Sequence, residues 1–194
     1  MTSMQKRNAL HLIAAGALSL CATGLLGACS EKKAEFRGVD VTGAEYARDI
    51  PLTDHNGQPR HIKDFAGKVV VVFFGYTQCP DVCPTSMQEL VEVKQMLGKD
   101  GDRLQGIFVT VDPERDKPEM LKAYMANFDP SFLALSGTPE QTAAVAKDFK
   151  IYYKKVDGKT PTSYTMDHSA GSYVYDTAGR LRVYNRYGSG AQAL

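Results

Sequence analysis

Unbroken runs of apolar residues predict three strands that are buried on both faces. Val69–Tyr76 is rich in β-branched and aromatic residues and shows no alternation with polar positions, as expected of a central strand. Leu104–Val111 is a second run of this kind, and Phe132–Leu135 is a shorter third one. Such strands are typical of a largely parallel sheet that is covered by helices.

Apolar residues at helical spacing predict a helix after each of these strands. The first is expected over Pro84–Gly98, with Cys83 as its N-cap. The second and third are expected over Asp116–Phe128 and Thr138–Phe149, and each opens on a capping residue that is followed closely by proline. The resulting order is β-α-β-α-β-α.

Two hairpins flank this β/α order. Leu52–Phe65 contains the turn signal His-Asn-Gly-Gln, and Ser172–Tyr175 pairs with Leu181–Tyr187 across Asp-Thr-Ala-Gly. The polar segment 154–171 is predicted as a loop, and Ser189–Leu194 is long enough for only the first turn of a terminal helix. The fold class is therefore α/β, a sheet between helical layers. A strand that delivers two cysteines to the start of a helix indicates the thioredoxin layout.

The N-terminus has the pattern of an export segment. Lys6 and Arg7 form a positive head, and residues 9–28 are mostly apolar. Leu-Gly-Ala before Cys29 resembles a bacterial lipobox, in which that cysteine is lipidated and becomes the mature N-terminus. An uncleaved helical anchor is the alternative, because about twenty residues at a rise of about 1.5 Å span a core of about 30 Å. Both interpretations place the body outside the cytoplasm and on a membrane.

These patterns divide the chain into three parts. Residues 1–28 are predicted as a signal peptide with lipobox, 29–49 as a membrane tether, and 50–194 as one thioredoxin-like domain. An apolar content of 43% over 194 residues suits one domain with a full core. The formal net charge of +1, without runs of like charge, gives no electrostatic attraction to nucleic acid.

Two of the four cysteines remain for chemistry in the body. Cys21 lies in the export segment and Cys29 would carry lipid, which leaves Cys79 and Cys83. They stand in Gly-Tyr-Thr-Gln-Cys-Pro-Asp-Val-Cys-Pro, between the first buried strand and its helix. The helix dipole and free backbone amides favour a thiolate at this place, and a thiolate is both a nucleophile and a metal ligand.

Three roles are open for this pair. Thioredoxin-type oxidoreductases place two residues between their cysteines, usually after a tryptophan, whereas this chain has three intervening residues and no tryptophan. A peroxidase of this fold would want threonine three residues before its cysteine, but Thr77 is two before Cys79. A structural disulfide closing so short a loop restrains little of the unfolded chain. Two thiolates are soft ligands that select Cu(I), and a third ligand would allow Cu(II) as well.

His168 is the candidate for that third ligand. It precedes the strand Ser172–Tyr175, and in a thioredoxin-like sheet the loop that enters this strand lies beside the cysteine helix. We therefore expect His168 near Cys79 and Cys83, although a histidine without a ligand role is the alternative. The other histidines lie in the export segment or in the early hairpin, where a solvated turn explains them.

Three motifs resemble the Sco family, which is also called SenC or PrrC in bacteria. They are the CxxxC with both prolines in Gly75–Pro84, the Val-Asp-Pro-Glu-Arg-Asp of Val111–Asp116, and Asp167–His168 before a strand. The resemblance runs from about Pro51 to Gly188. It implies a thioredoxin fold with an N-terminal β-hairpin extension, in a membrane-tethered copper protein that assists maturation of the Cu(A) centre of cytochrome c oxidase.

Carried over by position, the resemblance implies that Cys79, Cys83 and His168 are the ligands of Cu(I) and Cu(II). The expected partners are the oxidase subunit that carries Cu(A), an upstream periplasmic copper donor and the membrane, which is reached through the lipid anchor. Family members differ in whether they deliver copper or reduce the cysteines of their target. A metallochaperone and a thiol–disulfide oxidoreductase, in which Cys79 and Cys83 are catalytic, therefore both stay open.

Two carboxylates are expected next to the ligands. Asp81 would add negative charge that tunes copper affinity or docking, and Asp167 would orient the His168 ring as a hydrogen-bond acceptor. For each of them a solvated loop carboxylate is the alternative. The segment from Asp112 to Asp116 is assigned to a turn and a helix cap.

Overall fold

The computed structural model describes residues 35–160 and 163–194. The predicted signal peptide and the lipobox with Cys29 lie outside these residues. Phe36–Leu194 forms one compact unit. Within the described ranges, no helix combines the length and the apolar character that crossing a bilayer requires.

A mixed eight-stranded sheet forms the centre of this unit. The strands of the described residues are β1 (Val39–Asp40), β2 (Leu52–Asp54), β3 (Pro59–Arg60), β4 (Val69–Gly75), β5 (Leu104–Thr110), β6 (Leu133–Ser136), β7 (Tyr153–Asp157), β8 (Tyr164–His168), β9 (Ser172–Tyr175) and β10 (Leu181–Asn185). The order in the large sheet is β1-β10-β9-β4-β5-β6-β2-β3. β4, β5 and β6 are parallel, whereas β9 and β10 add antiparallel strands on one side and β2 and β3 form the early hairpin at the other edge.

The three strands at the centre are followed by helices in the predicted order. The α-helices of the described ranges are α1 (Val82–Met96), α2 (Pro118–Met125) and α3 (Pro139–Asp148), beside three short 3-10 helices. Six of the seven residues of β4 and all seven of β5 are buried, which confirms that both faces of these strands are covered. Because burying a large apolar side chain stabilises a fold by roughly 1.5–3 kcal/mol, this central pair carries much of the core energy.

The predicted helix starts are right for α3 and wrong for the other two helices. Thr138 caps α3 by accepting a hydrogen bond from the Gln141 amide at 3.2 Å. α1 begins earlier than predicted, with Asp81 rather than Cys83 as its N-cap, because proline is tolerated anywhere in a first turn whose amides have no intrahelical acceptor. Lys117 occupies the N-cap position of α2 without a side-chain capping bond, and the Asp116 carboxylate instead accepts from Thr77 and Thr110.

The segment predicted as a polar loop after Tyr153 is instead a hairpin. β7 and β8 pair in antiparallel register as a separate two-stranded sheet, with Tyr153 opposite His168. β8 alternates half-buried and exposed residues, which is the period of a strand with one covered face. Exposed polar residues along both strands hide this period in the sequence.

Residues 36–49, which fall in the predicted tether, pack on the large sheet. β1 pairs with β10, and Ala47 is fully buried beside Ile50. The hydroxyl of Tyr175 donates a hydrogen bond to the Ala47 carbonyl. No apolar periodicity in the sequence predicts this packing, because β1 is two residues long and exposed.

Candidate metal centre

Cys79, Cys83 and His168 converge from three different elements. Cys79 lies in the loop after β4, Cys83 in the first turn of α1, and His168 at the end of β8. Their potential ligand atoms all lie within 4.8 Å of one another. The Cys83 Sγ is 3.4 Å from the His168 Nε2, and the Cys83 amide donates to the Cys79 Sγ at 3.3 Å. The expected proximity of histidine and cysteines is therefore present, and we call this group the Cys–Cys–His cluster.

Backbone geometry at the end of β4 makes room for this cluster. A Cβ atom on Gly75 would lie 2.7 Å from the Cys83 Sγ and 2.9 Å from the Phe108 ring. Beyond Gly75 the chain turns, and the Cys79 amide donates to the Tyr76 carbonyl at 3.2 Å. The absent side chain at Gly75 thus lets the first turn of α1 approach the sheet closely.

The two thiols are unpaired and differ in exposure. Cys83 is fully buried, whereas Cys79 is partly exposed. Burial raises the pKa of the Cys83 thiol, and its proximity to Cys79 acts in the same direction. Cys83 is therefore protonated in the metal-free protein, and a bound metal ion would displace that proton.

The His168 ring is held as a neutral imidazole with one nitrogen free for a ligand bond. Its Nδ1 lies 2.9 Å from the Ser169 carbonyl, which can only accept, so Nδ1 carries the proton and Nε2 presents its lone pair to Cys83. Burial lowers the pKa of His168 and so favours this neutral form. The ring stands edge-on to Phe73 at 6.2 Å and to Tyr76 at 5.9 Å between centroids, which fixes its plane.

The two carboxylates expected beside the cluster lie at its margin. Asp81 is exposed at the N-cap of α1, and its Oδ1 is 3.4 Å from the Thr85 hydroxyl. Asp167 is exposed on the face of β8 opposite His168, because consecutive strand residues point to opposite sides. Asp167 was predicted to accept the hydrogen bond from the His168 ring, but the carbonyl of Ser169 is the acceptor. The negative charge of Asp167 still acts on the imidazole from a distance, and it favours a higher pKa of His168.

A buried carboxylate that was predicted only as a helix cap supports the cysteine loop. Asp116 accepts hydrogen bonds from the Thr77 amide at 3.0 Å, from the Thr77 hydroxyl and from the Thr110 hydroxyl at 2.6 Å. These bonds join the loop that carries Cys79 to the end of β5. The motif containing Asp116 was visible in the sequence, but no spacing identified Thr77 and Thr110 as its partners.

The cluster has the chemistry of a soft metal site. It offers two sulfur donors and one neutral imidazole nitrogen. Three converging donors of this kind suit copper, since thiolates select Cu(I) and imidazole also serves Cu(II).

Comparison with known proteins places this architecture in one family. The family model SCO1/SenC matches residues 40–194. The SCO2-like protein of Rickettsia felis is 36% identical over 133 residues, which make up 68% of this chain and 65% of that protein. The match thus spans somewhat less than two thirds of the length of this relative.

Solved structures show the same fold. ScoI of Bradyrhizobium japonicum with copper bound is 44% identical, with a TM-score of 0.68 over 74% of this chain and 91% of that one. A SCO1/SenC family lipoprotein from Bacillus anthracis is 27% identical, with a TM-score of 0.62 over 73% and 85% of the two chains. The α/β, thioredoxin-like fold predicted from the sequence is thereby confirmed. Because the family pattern runs from β1 to the last residue and includes all three members of the Cys–Cys–His cluster, the chain belongs to the SCO1/SenC family.

Proposed function

We propose that this chain is a copper-binding assembly factor for cytochrome c oxidase that delivers copper to the subunit carrying the Cu(A) centre. The observation that carries the proposal is the convergence of two unpaired thiols and a neutral imidazole within 4.8 Å. Copper bound to the Bradyrhizobium japonicum relative supports the choice of metal. Cys79, Cys83 and His168 would hold the ion as Cu(I) or Cu(II).

Copper would be cargo in this proposal, so the centre must release it as well as hold it. Three protein ligands leave room for an incoming donor atom, and the partly exposed Cys79 is the sulfur that a partner reaches first. Exchange of one ligand at a time then moves the ion between thiolate sites without leaving it bare. An upstream periplasmic donor would load the same face by the reverse exchange.

The proposal places the protein on the extracytoplasmic side of a bacterial membrane. The positive head, the apolar stretch and the Leu-Gly-Ala before Cys29 support cleavage and lipidation at that cysteine. Residues from Cys29 to the start of the compact unit would then connect the lipid to the folded domain. A single acyl chain binds a membrane only weakly, so stable attachment requires more than one.

Metal titration of the reduced protein tests the assignment of the ligands. In separate titrations, we expect one equivalent of Cu(I) or one equivalent of Cu(II) to bind per chain. His168→Ala should lower the affinity for Cu(II) by more than the roughly 10- to 100-fold that loss of an outer-shell partner costs, with a smaller effect on Cu(I) because both sulfurs remain.

His61→Ala is the matched control. Its ring pairs with Asp49 at 2.6 Å and is not among the three converging ligands. The control should bind both ions as the unaltered protein does. Undiminished Cu(II) affinity in His168→Ala would remove the histidine from the site.

A thiol–disulfide oxidoreductase is the second candidate, and one observation favours it. Cys79 is partly exposed and its sulfur accepts a hydrogen bond at the start of α1, while Cys83 is buried behind it. Cys79 as thiolate would attack a disulfide of the oxidase subunit and form a mixed disulfide. Cys83 would then attack the Cys79 sulfur as its proton passes to the departing target sulfur. The Cys79–Cys83 disulfide forms, the mixed disulfide breaks, and the target leaves as a dithiol that has gained two electrons.

Reduction of an oxidised Cu(A) domain by the metal-free dithiol distinguishes the two functions. Equal rates for the unaltered protein and for His168→Ala, with no copper present, would favour the oxidoreductase. Absence of reduction by the metal-free dithiol, together with copper transfer that is lost in His168→Ala, would favour delivery.

A further inference from the structure

We propose that Arg115 is a positioning residue that holds the β7–β8 hairpin against the cysteine loop and so keeps His168 within reach of both sulfurs. The proposal rests on the proposed copper site in that it treats His168 as a ligand. Arg115 acts on the geometry of the ligands indirectly, through Gln78 and Tyr164.

The hairpin that carries His168 needs such a support. In the part of the chain that the structure describes, β7 and β8 form a sheet of their own with no ladder to the eight-stranded sheet. An isolated two-stranded hairpin is only marginally stable in water. Four of the five residues of β7 are exposed, so burial gives this strand little stability. The place of His168 therefore depends on side-chain contacts between the hairpin and the rest of the domain.

Tyr153 and Met166 pack against the core, and Arg115 adds several polar contacts with one planar group. Its Nη1 donates to the Tyr164 carbonyl at the start of β8 at 2.9 Å and to the Gln78 Oε1 at 3.1 Å. Its guanidinium carbon also lies 3.5 Å from the centroid of the Tyr164 ring. Gln78 directly precedes Cys79, and Tyr164 lies on the same face of β8 as His168. One side chain thus ties together the segment that precedes the partly exposed Cys79 and the strand that carries the imidazole.

Asp112 fixes Arg115 in this orientation. Its Oδ2 accepts from the Arg115 Nε, and its Oδ1 accepts from the Tyr164 hydroxyl at 2.9 Å. Asp112 is 3% exposed, and its ion pair with Arg115 is therefore shielded from solvent. Arginine, aspartate and tyrosine close a ring of contacts between the turn after β5 and the start of β8.

A lysine at this position would not replace the arginine. Lysine keeps the charge but lacks the rigid planar fork that can serve Asp112, Gln78 and the Tyr164 carbonyl together while stacking on a ring. Arg115→Lys should therefore loosen the hairpin without removing a ligand or changing the net charge.

Amide hydrogen exchange of the metal-free protein tests the positioning role directly. We expect Arg115→Lys to speed exchange in β8 by about tenfold or more, while exchange in β4 and β5 is unchanged. Arg180→Lys is the matched control, because Arg180 pairs with Asp176 in an exposed turn and should leave β8 exchange as it is. Unchanged exchange of β8 in Arg115→Lys would overturn the proposal.

Copper affinity supplies the second measurement. Arg115→Lys should weaken Cu(II) binding by about tenfold and Cu(I) binding much less, because Cu(I) retains both sulfurs. Faster exchange with unaltered Cu(II) affinity would also overturn the proposal, since the hairpin would then move without consequence for the ligand. Failure of the unaltered protein to bind copper would instead count against the proposed function, and β8 exchange would still report on the hairpin.

Tyr164→Phe is a second variant in case Arg115→Lys does not fold. It removes the hydroxyl that bonds to Asp112 and keeps the ring under the guanidinium. Exchange in β8 and Cu(II) affinity should change in the same directions by a smaller factor. No change in either quantity would contradict the role given to this ring of contacts.

Discussion

At the scale of single residues, Gly75 determines whether the buried sulfur fits against the sheet. An added Cβ atom would come within 2.7 Å of the Cys83 Sγ. Because both the strand and the first turn of α1 are rigid, the sulfur would have to move.

Gly75→Ala adds only one methyl group, but it should impair the metal site strongly. We expect a loss of stability of about 1–3 kcal/mol from overpacking, together with at least a tenfold weaker affinity for Cu(I). Urea unfolding and competitive Cu(I) titration measure the two effects.

Gly106→Ala is the matched control for this change. Its Cβ would meet Leu90 and Phe132 at 2.8 Å, in the parallel strand next to β4 but away from the sulfurs. It should destabilise the fold and leave the affinity for Cu(I) unaltered. Equal losses of affinity in both variants would show that Gly75 acts only through general stability.

Residue chemistry made the three predicted ligands visible in the sequence, but not the contacts that support them. Cys79 and Cys83 stood out as the two cysteines that remain once Cys21 and Cys29 are set aside, and His168 stood out because it precedes the strand Ser172–Tyr175. The acceptor for the imidazole is the carbonyl of Ser169, and a carbonyl belongs to every residue type. Asp167 was the wrong choice because a carboxylate adjacent in sequence lies on the other face of a strand.

At the scale of elements, the loop between β4 and α1 is fastened by Asp116. This carboxylate accepts from the amide and hydroxyl of Thr77 and from the hydroxyl of Thr110. The Asp116 side chain is almost wholly buried, so water could not take the place of the carboxylate as acceptor for these donors.

Asp116→Ala should destabilise the protein by roughly 2–3 kcal/mol, because three donors lose their acceptor. Urea unfolding followed by circular dichroism measures the change. Asp100→Ala serves as control, since this carboxylate is exposed and its pairing with Arg103 is long at 3.8 Å. The control should stay within about 0.5 kcal/mol of the unaltered protein. A similar small change for Asp116→Ala would show that water reaches the donors after all.

Elements with strong local sequence patterns were predictable, and those held by partners distant in sequence were not. β4 and β5 are continuous apolar runs, and Thr138 shows a complete capping pattern, so the sequence identifies all three. The β7–β8 hairpin was missed because most of its strand residues are exposed, and its attachment combines the packing of Tyr153 and Met166 on the core with polar contacts from Arg115. Lys117 stands at the N-cap position of α2 without a side-chain capping bond, because the Asp116 carboxylate is buried and bonded to Thr77 and Thr110.

At the scale of the whole molecule, the end of the chain completes the sheet beside its centre. β9 lies antiparallel to β4, the strand that leads to Cys79, and β10 binds β1 from the start of the compact unit. The turn between β9 and β10 therefore joins two strands of the large sheet. Asp176 organises this turn through ion pairs with Arg180 at 2.9 Å and Arg182 at 3.0 Å.

Stability should consequently fall in acid as Asp176 is protonated. Partial burial acts to raise the pKa of Asp176, but hydrogen bonds from Arg180 and Arg182 outweigh it and lower the pKa to about 2. Because this value lies below the ordinary 3.8, the carboxylate stabilises the folded state above about pH 4, and this contribution is lost as the pH falls toward 2.

Asp176→Asn should be less stable than the unaltered protein at pH 7, and the two free energies of unfolding should converge as the pH falls from 4 toward 2. Urea unfolding across this range measures the convergence. Asp100→Asn controls for the removal of any surface charge and should show a small difference at every pH. A difference for Asp176→Asn that stays constant from pH 7 to 2 would mean that the turn is held by its backbone bonds, such as the Asp176 amide to the Arg180 carbonyl, and not by the carboxylate.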